Sequence, residues 1–344
     1  MNEPKFILSK KVVKEQVKIL ENLGLKVSYS YKTNQEVGDI LQEISDCDFS
    51  IHAEEEIDKI KDKSKISFFT QAESEDELKR IFEKGIRSFV VDNEIDLRRL
   101  LKVIQDTKTK VNLSLRMKFQ EHRIETGKYF VYGMSSRKIN ELVKEIRNNE
   151  FIDNLGVHIH RKSQNTSEWE IEEDLKDSLE EEVLHKLDIL NIGGGLPSKY
   201  KNCPQDVLQY VFDKLNRTKE FLDKYNIKTI IEPGRFIAAP AIKLETEIIQ
   251  VQGRNLIINT TIYNCALDTL IGQHKMLIEG ELEEGEDFLI KGNSPTRDDI
   301  FRYRVKLKNP KVGDKLVFLN AGAYNYTTDF FGHKKLNTEI LEDF

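Results

Sequence analysis

Apolar residues alternate with small polar ones in "KVSYSYK" (26–32). The same short apolar pulse returns in "CDFSIH", "ISFFTQ", "SFVVDN", "VNLSLRMK", "NLGVHIH", "ILNIGGG" and "TIIEPGR". Runs of this length and composition predict strands. Between them the apolar positions spread to helical spacing, as in "NQEVGDILQEI", "ESEDELKRIFEKG", "NEIDLRRLLKVI" and "RKINELVKEIRNN". In the third of these, Ile95, Leu97, Leu100, Leu101 and Ile104 are expected to form the buried face, with Arg98, Arg99 and Lys102 in solvent. A helix with one apolar face is suited to covering a parallel strand. Eight strand-then-helix units in about 240 residues predict a (β/α)8 TIM-like barrel, with a doubly wound open sheet as the alternative.

From about Pro240 the texture changes. "IKLETEIIQVQ", "NLIINTTIY", "EDFLIKG", "VKLKN" and "DKLVFLNAGAY" read as short strands split by turn residues, and the long helical intervals stop. This predicts a β domain of about 100 residues. The fold class is therefore α/β plus β, a barrel followed by a C-terminal β-sandwich or β-barrel domain. The expected divisions are residues 1–10, a strand joining the β domain; 11–240, the barrel; and 241–344, the β domain.

Charge and composition narrow the partners. Lys and Arg number 53 against 59 Asp and Glu, a formal net charge of -6 at pH 7, with both signs interleaved. No basic stripe stands out, so nucleic acid is not an expected partner. Cys47, Cys203 and Cys265 are too few and too far apart for a disulfide framework, which points to a reducing compartment. The opening "MNEPKFILSK" lacks a signal peptide's apolar core, and no apolar run approaches the roughly 20 residues of a spanning helix. The expectation is a soluble cytoplasmic protein with no membrane partner.

The chemistry lies at the strand ends. Lys32, His52, Gln71, Asp92, Arg116, His160, Gly193 to Gly195 and Glu232 to Arg235 all fall where predicted strands finish, the face on which barrels place their sites. In "LNIGGGLP" three glycines remove side chains just past a strand, so their N–H groups could approach an anion. The spacing is neither a dinucleotide fingerprint nor a nucleoside-triphosphate loop. In "IIEPGRF", Glu232 precedes a forced turn and Arg235 follows it. The acid could hold a protonated heterocyclic nitrogen and the arginine a phosphate, or the two could pair to secure the loop. His158 and His160 share one side of their strand and could bind metal, stack on a flat cofactor, or serve the fold. A lysine beside an anion cradle, an acid and a histidine is suited to a Schiff base with pyridoxal 5'-phosphate.

Five motifs in order give a resemblance. "YSYKTN" resembles a "YAVKAN" lysine motif, "GVHIHRKSQ" resembles "G-x-H-x-H-x-G-S-Q", and "NIGGG", "EPGR" and a late "GAY" follow. The chain resembles the pyridoxal-phosphate decarboxylases that include ornithine, diaminopimelate and carboxynorspermidine decarboxylases, whose fold is similar to that of alanine racemase. The resemblance covers nearly the whole chain. It implies that Lys32 carries the cofactor covalently, that His160 stacks on its ring and that Glu232 pairs with the ring nitrogen. It implies that Gly193, Gly194, Gly195, Gly234, Arg235 and Ser163 surround the phosphate, with Tyr324 reaching it from the second domain. Arg116, Asp48 and Glu54 match buried polar positions near the cofactor and its lysine. It further implies a homodimer with sites between subunits, and decarboxylation of a basic or diamino acid in amino-acid or polyamine metabolism. Racemisation, or cofactor carriage without turnover, are the alternatives.

The chain also departs from the pattern. Relatives often carry "G-x-T-C-x-x-x-D" where this sequence has "GNSPTRDDI". Pro295 stands at the usual cysteine position and has no thiol proton to give. Thr296 replaces an acid that often meets a distal substrate amine. Asp299 remains; Arg297 would favour a substrate acid, and Asp298 a second ammonium. "LDTLIGQHKMLIE" resembles a segment of the carboxynorspermidine branch, which makes Asp268 and His274 substrate-pocket candidates. Tyr263 fits a tyrosine near the cofactor in ornithine decarboxylase.

Overall fold

In the computed structural model, which describes residues 2–119, 132–204, 206–326 and 332–344, the chain opens with strand β1 (Lys5–Ser9). Eight parallel strands then close into a barrel: β2 (Lys26–Ser30), β3 (Asp48–Ile51), β4 (Ile66–Thr70), β5 (Ser88–Val91), β6 (Val111–Met117), β7 (Ile152–Ile159), β8 (Ile189–Asn191) and β9 (Lys228–Ile231). The last pairs with the first, Lys26 opposite Ile230 and Val27 opposite Ile231. Each strand lies on one of the eight predicted apolar pulses. The open-sheet alternative fails on this closure.

The alternation seen in "VSYSY" has a physical outcome. Ser30 turns into the barrel mouth, while Tyr29 is buried on the other side and donates to the carbonyl of Asn34 at 2.9 Å. Small inward residues leave room at the mouth. The four quoted helical stretches form helices at Gln35–Ile44, Glu75–Glu83, Glu94–Thr107 and Ser136–Ile146. Ser74 and Glu77 cap the second reciprocally. One residue of the predicted apolar face is corrected: Ile95 is 71% exposed. Asp96 is buried in its stead, accepting from the Ala72 N–H at 3.1 Å and from Asn93 Nδ2 at 2.8 Å. The first turn of this helix is anchored by its cap rather than by packing.

The second body is an eight-stranded sheet. Its strands are β10 (Ile242–Gln252), β11 (Asn255–Ile258), β12 (Leu277–Ile278), β13 (Asp287–Lys291), β14 (Ile300–Lys306), β15 (Lys315–Leu319), β16 (Asn337–Leu341) and β1. The path runs β12-β15-β10-β11-β13-β14; β1 joins antiparallel to β10 and parallel to β16. Ser9 ends β1 and caps the helix Lys10–Asn22, so the chain passes from sheet to barrel within one residue. The predicted strand "NLIINTTIY" is shorter than expected. It stops at Ile258, and Thr261 with Asn264 caps a helix at Ile262–Cys265. All three cysteines are free, and among the described residues no helix is long and apolar enough to cross a membrane.

Candidate active site

The barrel mouth holds a cavity of about 390 Å³. Lys32 enters from the tight turn Tyr31–Thr33 that follows β2. His52, Gln71, Arg116, His158 and His160 enter from the ends of β3, β4, β6 and β7, and Glu232 from just past β9. Ser163, Gly194, Gly195, Gly234, Arg235 and Tyr324 complete the wall. The predicted strand ends thus converge, and Asp92 braces them from outside, accepting from Arg116 Nη1 at 3.2 Å and from the Gly133 N–H at 3.0 Å.

The electrostatics separate the groups. Burial lowers the Lys32 amine below the ordinary lysine value and Arg116 adds to this, while Glu232 and Glu56 oppose. Burial, then His158 and Arg116, push His160 down to about 3. Its Nδ1 accepts the Gly194 N–H at 3.1 Å, which leaves its proton on Nε2 and the ring neutral. Burial, then Lys32, push His52 down to about 4. Burial alone would raise Glu232; instead His158, Ser50 and Asn191 hold it at about 2. Ser50 Oγ donates to Oε1 at 2.6 Å, Asn191 Nδ2 to Oε1 at 2.9 Å, and His158 Nε2 lies 3.0 Å from Oε2.

The glycines matter where the chain folds most tightly. Gly193 has φ +68, and a Cβ there would lie 2.2 Å from the Ile159 carbonyl oxygen. A Cβ on Gly234 would lie 2.1 Å from Thr33 Oγ1. Gly193→Ala is therefore expected to cost about 3 kcal/mol, from left-handed strain plus overpacking, measurable as a lower midpoint in urea unfolding. The Gly193 N–H is already given to Asn191 Oδ1 at 2.9 Å, so this residue shapes the cradle and does not face it.

Beside the mouth is a second cavity of about 970 Å³, sharing Lys32, Ser163, Arg235 and Tyr324. Asp268 and His274 line it, as do Glu36 and Asp39. Asp268 is not a free acid: it holds the Arg235 guanidinium at both ends, Nη2 to Oδ1 at 2.9 Å, and Tyr200 accepts from Nη1 at 2.9 Å. His274 stacks on Tyr200, rings 5.1 Å apart. Tyr324 packs its ring 5.4 Å from the Arg235 guanidinium, and its N–H donates to the Thr33 carbonyl at 3.0 Å.

Several expected positions lie elsewhere. Asp48 begins β3 and pairs with Lys26 at 3.0 Å, at the entry end of the barrel, away from the mouth. Glu54 faces outward to Arg80 and Lys84, at 3.6 and 3.5 Å. The inward polar residues of this segment are Ser50 and Glu56, two positions later in each case; Glu56 is buried and accepts the His52 N–H at 3.1 Å. Asp299 is fully buried and spent on the fold, accepting from the N–H groups of Ile262 and Ser294 and from Ser294 Oγ. Tyr263 meets Thr296, Oη to Oγ1 at 2.9 Å, outside both cavities, and Arg297 and Asp298 are exposed. Ser50, Asn191, Phe69, Tyr132 and Tyr200 were not anticipated. Only Asn191, at the end of a predicted strand, carried a positional signal.

The fold and this mouth define a parallel-barrel protein built around a lysine amine, a buried carboxylate and a glycine-rich turn. Residues 9–239 match the family described as pyridoxal-dependent decarboxylase, pyridoxal binding domain, and the chain belongs to that family. A diaminopimelate decarboxylase of Vibrio cholerae is 30% identical over 204 residues, 54% of this chain and 47% of the relative. The chain spans about half to just under two thirds of the length of the curated relatives it matches first. In fold it is similar to a diaminopimelate decarboxylase mutant from Helicobacter pylori complexed with L-lysine, with a TM-score of 0.84 at 19% identity, covering 100% of this chain and 92% of the other. A lysine/ornithine decarboxylase from Vibrio vulnificus complexed with putrescine gives 0.82 at 20% identity, covering 99% and 95%.

The mouth fits the cofactor of this family, pyridoxal phosphate. It offers an amine with a lowered proton affinity and a flat neutral imidazole. Its buried carboxylate has an acceptor position to spare. The buried Nε of Arg235 has no partner among the described residues. An N–H donor left without an acceptor on the cavity wall suits a phosphate oxygen.

Proposed function

We propose that the chain is a pyridoxal-phosphate-dependent decarboxylase of a basic or diamino acid. Lys32 is the observation that carries this reading. Its amine, made less basic by burial, shares one small cavity with Glu232 and His160. When bound, pyridoxal phosphate supplies an aldehyde for covalent attachment and a ring that takes up the electron pair left as the substrate's carboxylate departs. Lys32 would hold the group through its neutral amine. His160 would offer a flat face that adds no charge. Glu232, kept ionised, would hold a proton at the ring nitrogen. Arg235, Ser163 and the glycine turn would bind the phosphate.

The names of similar proteins support the substrate class: diaminopimelate, lysine and ornithine decarboxylases are among them. The acids Glu36 and Asp39 in the adjoining cavity suit a second ammonium. Tyr263, Thr296, Arg297 and Asp298 lie apart from both cavities in one chain, so any part they take in the site requires a second copy. The test is to load the protein with the cofactor, supply ornithine, lysine, arginine, diaminopimelate and carboxynorspermidine, and identify gas and amine. Carbon dioxide with one cognate amine is expected. Inverted substrate with its carboxylate intact would establish racemisation instead.

A further inference from the structure

His158 is a titratable side chain that this reaction leaves without a task. It is buried on β7, edge-on to the Phe69 ring at 5.1 Å, with Nε2 3.0 Å from Oε2 of Glu232. An ionised carboxylate has about four acceptor positions. Ser50 and Asn191 take two on Oε1, and His158 takes one on Oε2. One position on Oε2 remains, and Glu232 lines the mouth. A carboxylate only accepts, so the hydrogen between the two side chains belongs to Nε2. The Nδ1 atom of His158 is buried without a partner among the described residues. A hydrogen there would be a buried donor with no acceptor among the described residues, whereas the hydrogen on Nε2 is received by Glu232.

We propose that His158 is a positioning residue for the reaction. By donating Nε2–H to Glu232 it turns that carboxylate's last acceptor position toward the cofactor's ring nitrogen. It also keeps Glu232 the weaker base, so that the proton they share stays on the ring. The inference rests on the pyridoxal-phosphate reading of the mouth. Its balance involves one proton: either the ring nitrogen carries it and Glu232 is an anion, or Oε2 carries it and both are neutral. Removing a donor from Oε2 makes the carboxylate more basic and draws the proton off the ring.

The experiment uses holoenzyme loaded with ring-15N pyridoxal phosphate. Wild type is expected to give a protonated-pyridine resonance. His158→Leu should move it toward the unprotonated range and lower kcat about tenfold with KM little changed. His158→Gln, whose amide N–H replaces the donor, should hold the wild-type resonance. A Leu variant with the wild-type resonance, or a Gln variant displaced as far as Leu, overturns the proposal. If the Leu variant does not fold, 15N-histidine-labelled wild-type apoprotein decides. A hydrogen on Nε2 is expected; a bare Nε2 sinks the idea. Failure of the cofactor reading is separate, because it appears as wild type that takes up no cofactor on Lys32, with the tautomer still measurable.

Discussion

Lys32→Ala is expected to abolish the cofactor adduct that borohydride fixes to the chain, and to lower decarboxylation at least about a thousandfold. The reason is chemical identity. The amine is the one nucleophile that the turn after β2 delivers into the mouth, and its pKa already lies below the ordinary 10.5. A neutral amine attacks an aldehyde and an ammonium does not. Attachment should therefore speed up with rising pH and level off below 10.5, the value at which a solvated lysine would do so. Arg116 contributes to the lowering, so Arg116→Met should shift that levelling point upward. Peptide mapping of the reduced adduct decides the assignment. Lys59 and Lys335 line the adjoining cavity, and label on either of them in wild type would refute the role given to Lys32.

That lysine could be found from sequence because a strand's end is marked by the loss of its alternation. The eight barrel strands were legible for the same reason, and β10 runs over the whole of "IKLETEIIQVQ". What failed was register. "CDFSIHAEEE" offers acids at 48, 54, 55 and 56, and nothing in the pattern says on which residue the strand begins. It begins on Asp48, which puts that carboxylate at the entry end and brings Ser50 and Glu56 inward. The strands β12 and β16 escaped for another reason: one has two residues, and the other, "NTEIL", is half polar and mostly exposed. The Glu232 network was invisible because Ser50, Asn191 and His158 stand on three different strands. His158 was a candidate by itself and Asn191 closed a predicted strand, but that they meet Ser50 on one carboxylate appears only when the barrel closes. Asp299 shows the converse. Its match to a functional position was real in sequence, yet in this chain its oxygens are occupied by Ile262 and Ser294.

Acid should unfold the protein in a window set by the same buried groups. His160 has a folded value of about 3 against an ordinary 6.5. Between those values the unfolded chain binds a proton that the folded chain refuses, so stability falls as pH drops from 6.5 toward 3. His52 acts in the same direction down to about 4, with a smaller effect because it opens to the mouth. Glu232 lies at about 2 against an ordinary 4.5. Its contribution is complete above 4.5 and disappears as pH falls through 2, since the unfolded carboxylate is protonated first. For Glu232 the effect is on the order of 3 kcal/mol. Glu232→Gln tests it by two routes. The amide oxygen can still accept from Ser50 and Asn191, but its NH2 would face the Nε2–H of His158, donor against donor. At pH 7 the variant should lose roughly 3 kcal/mol in urea unfolding. It should also decarboxylate at least about a hundredfold more slowly, because a neutral amide cannot hold a positive ring nitrogen. Below pH 4.5 its stability should fall less steeply than that of wild type, because the titrating carboxylate is gone. Parallel slopes for the two proteins from pH 4.5 to 2 would show that the folded barrel does not hold Glu232 below its ordinary value, and that the network of His158, Ser50 and Asn191 does not favour its charged form.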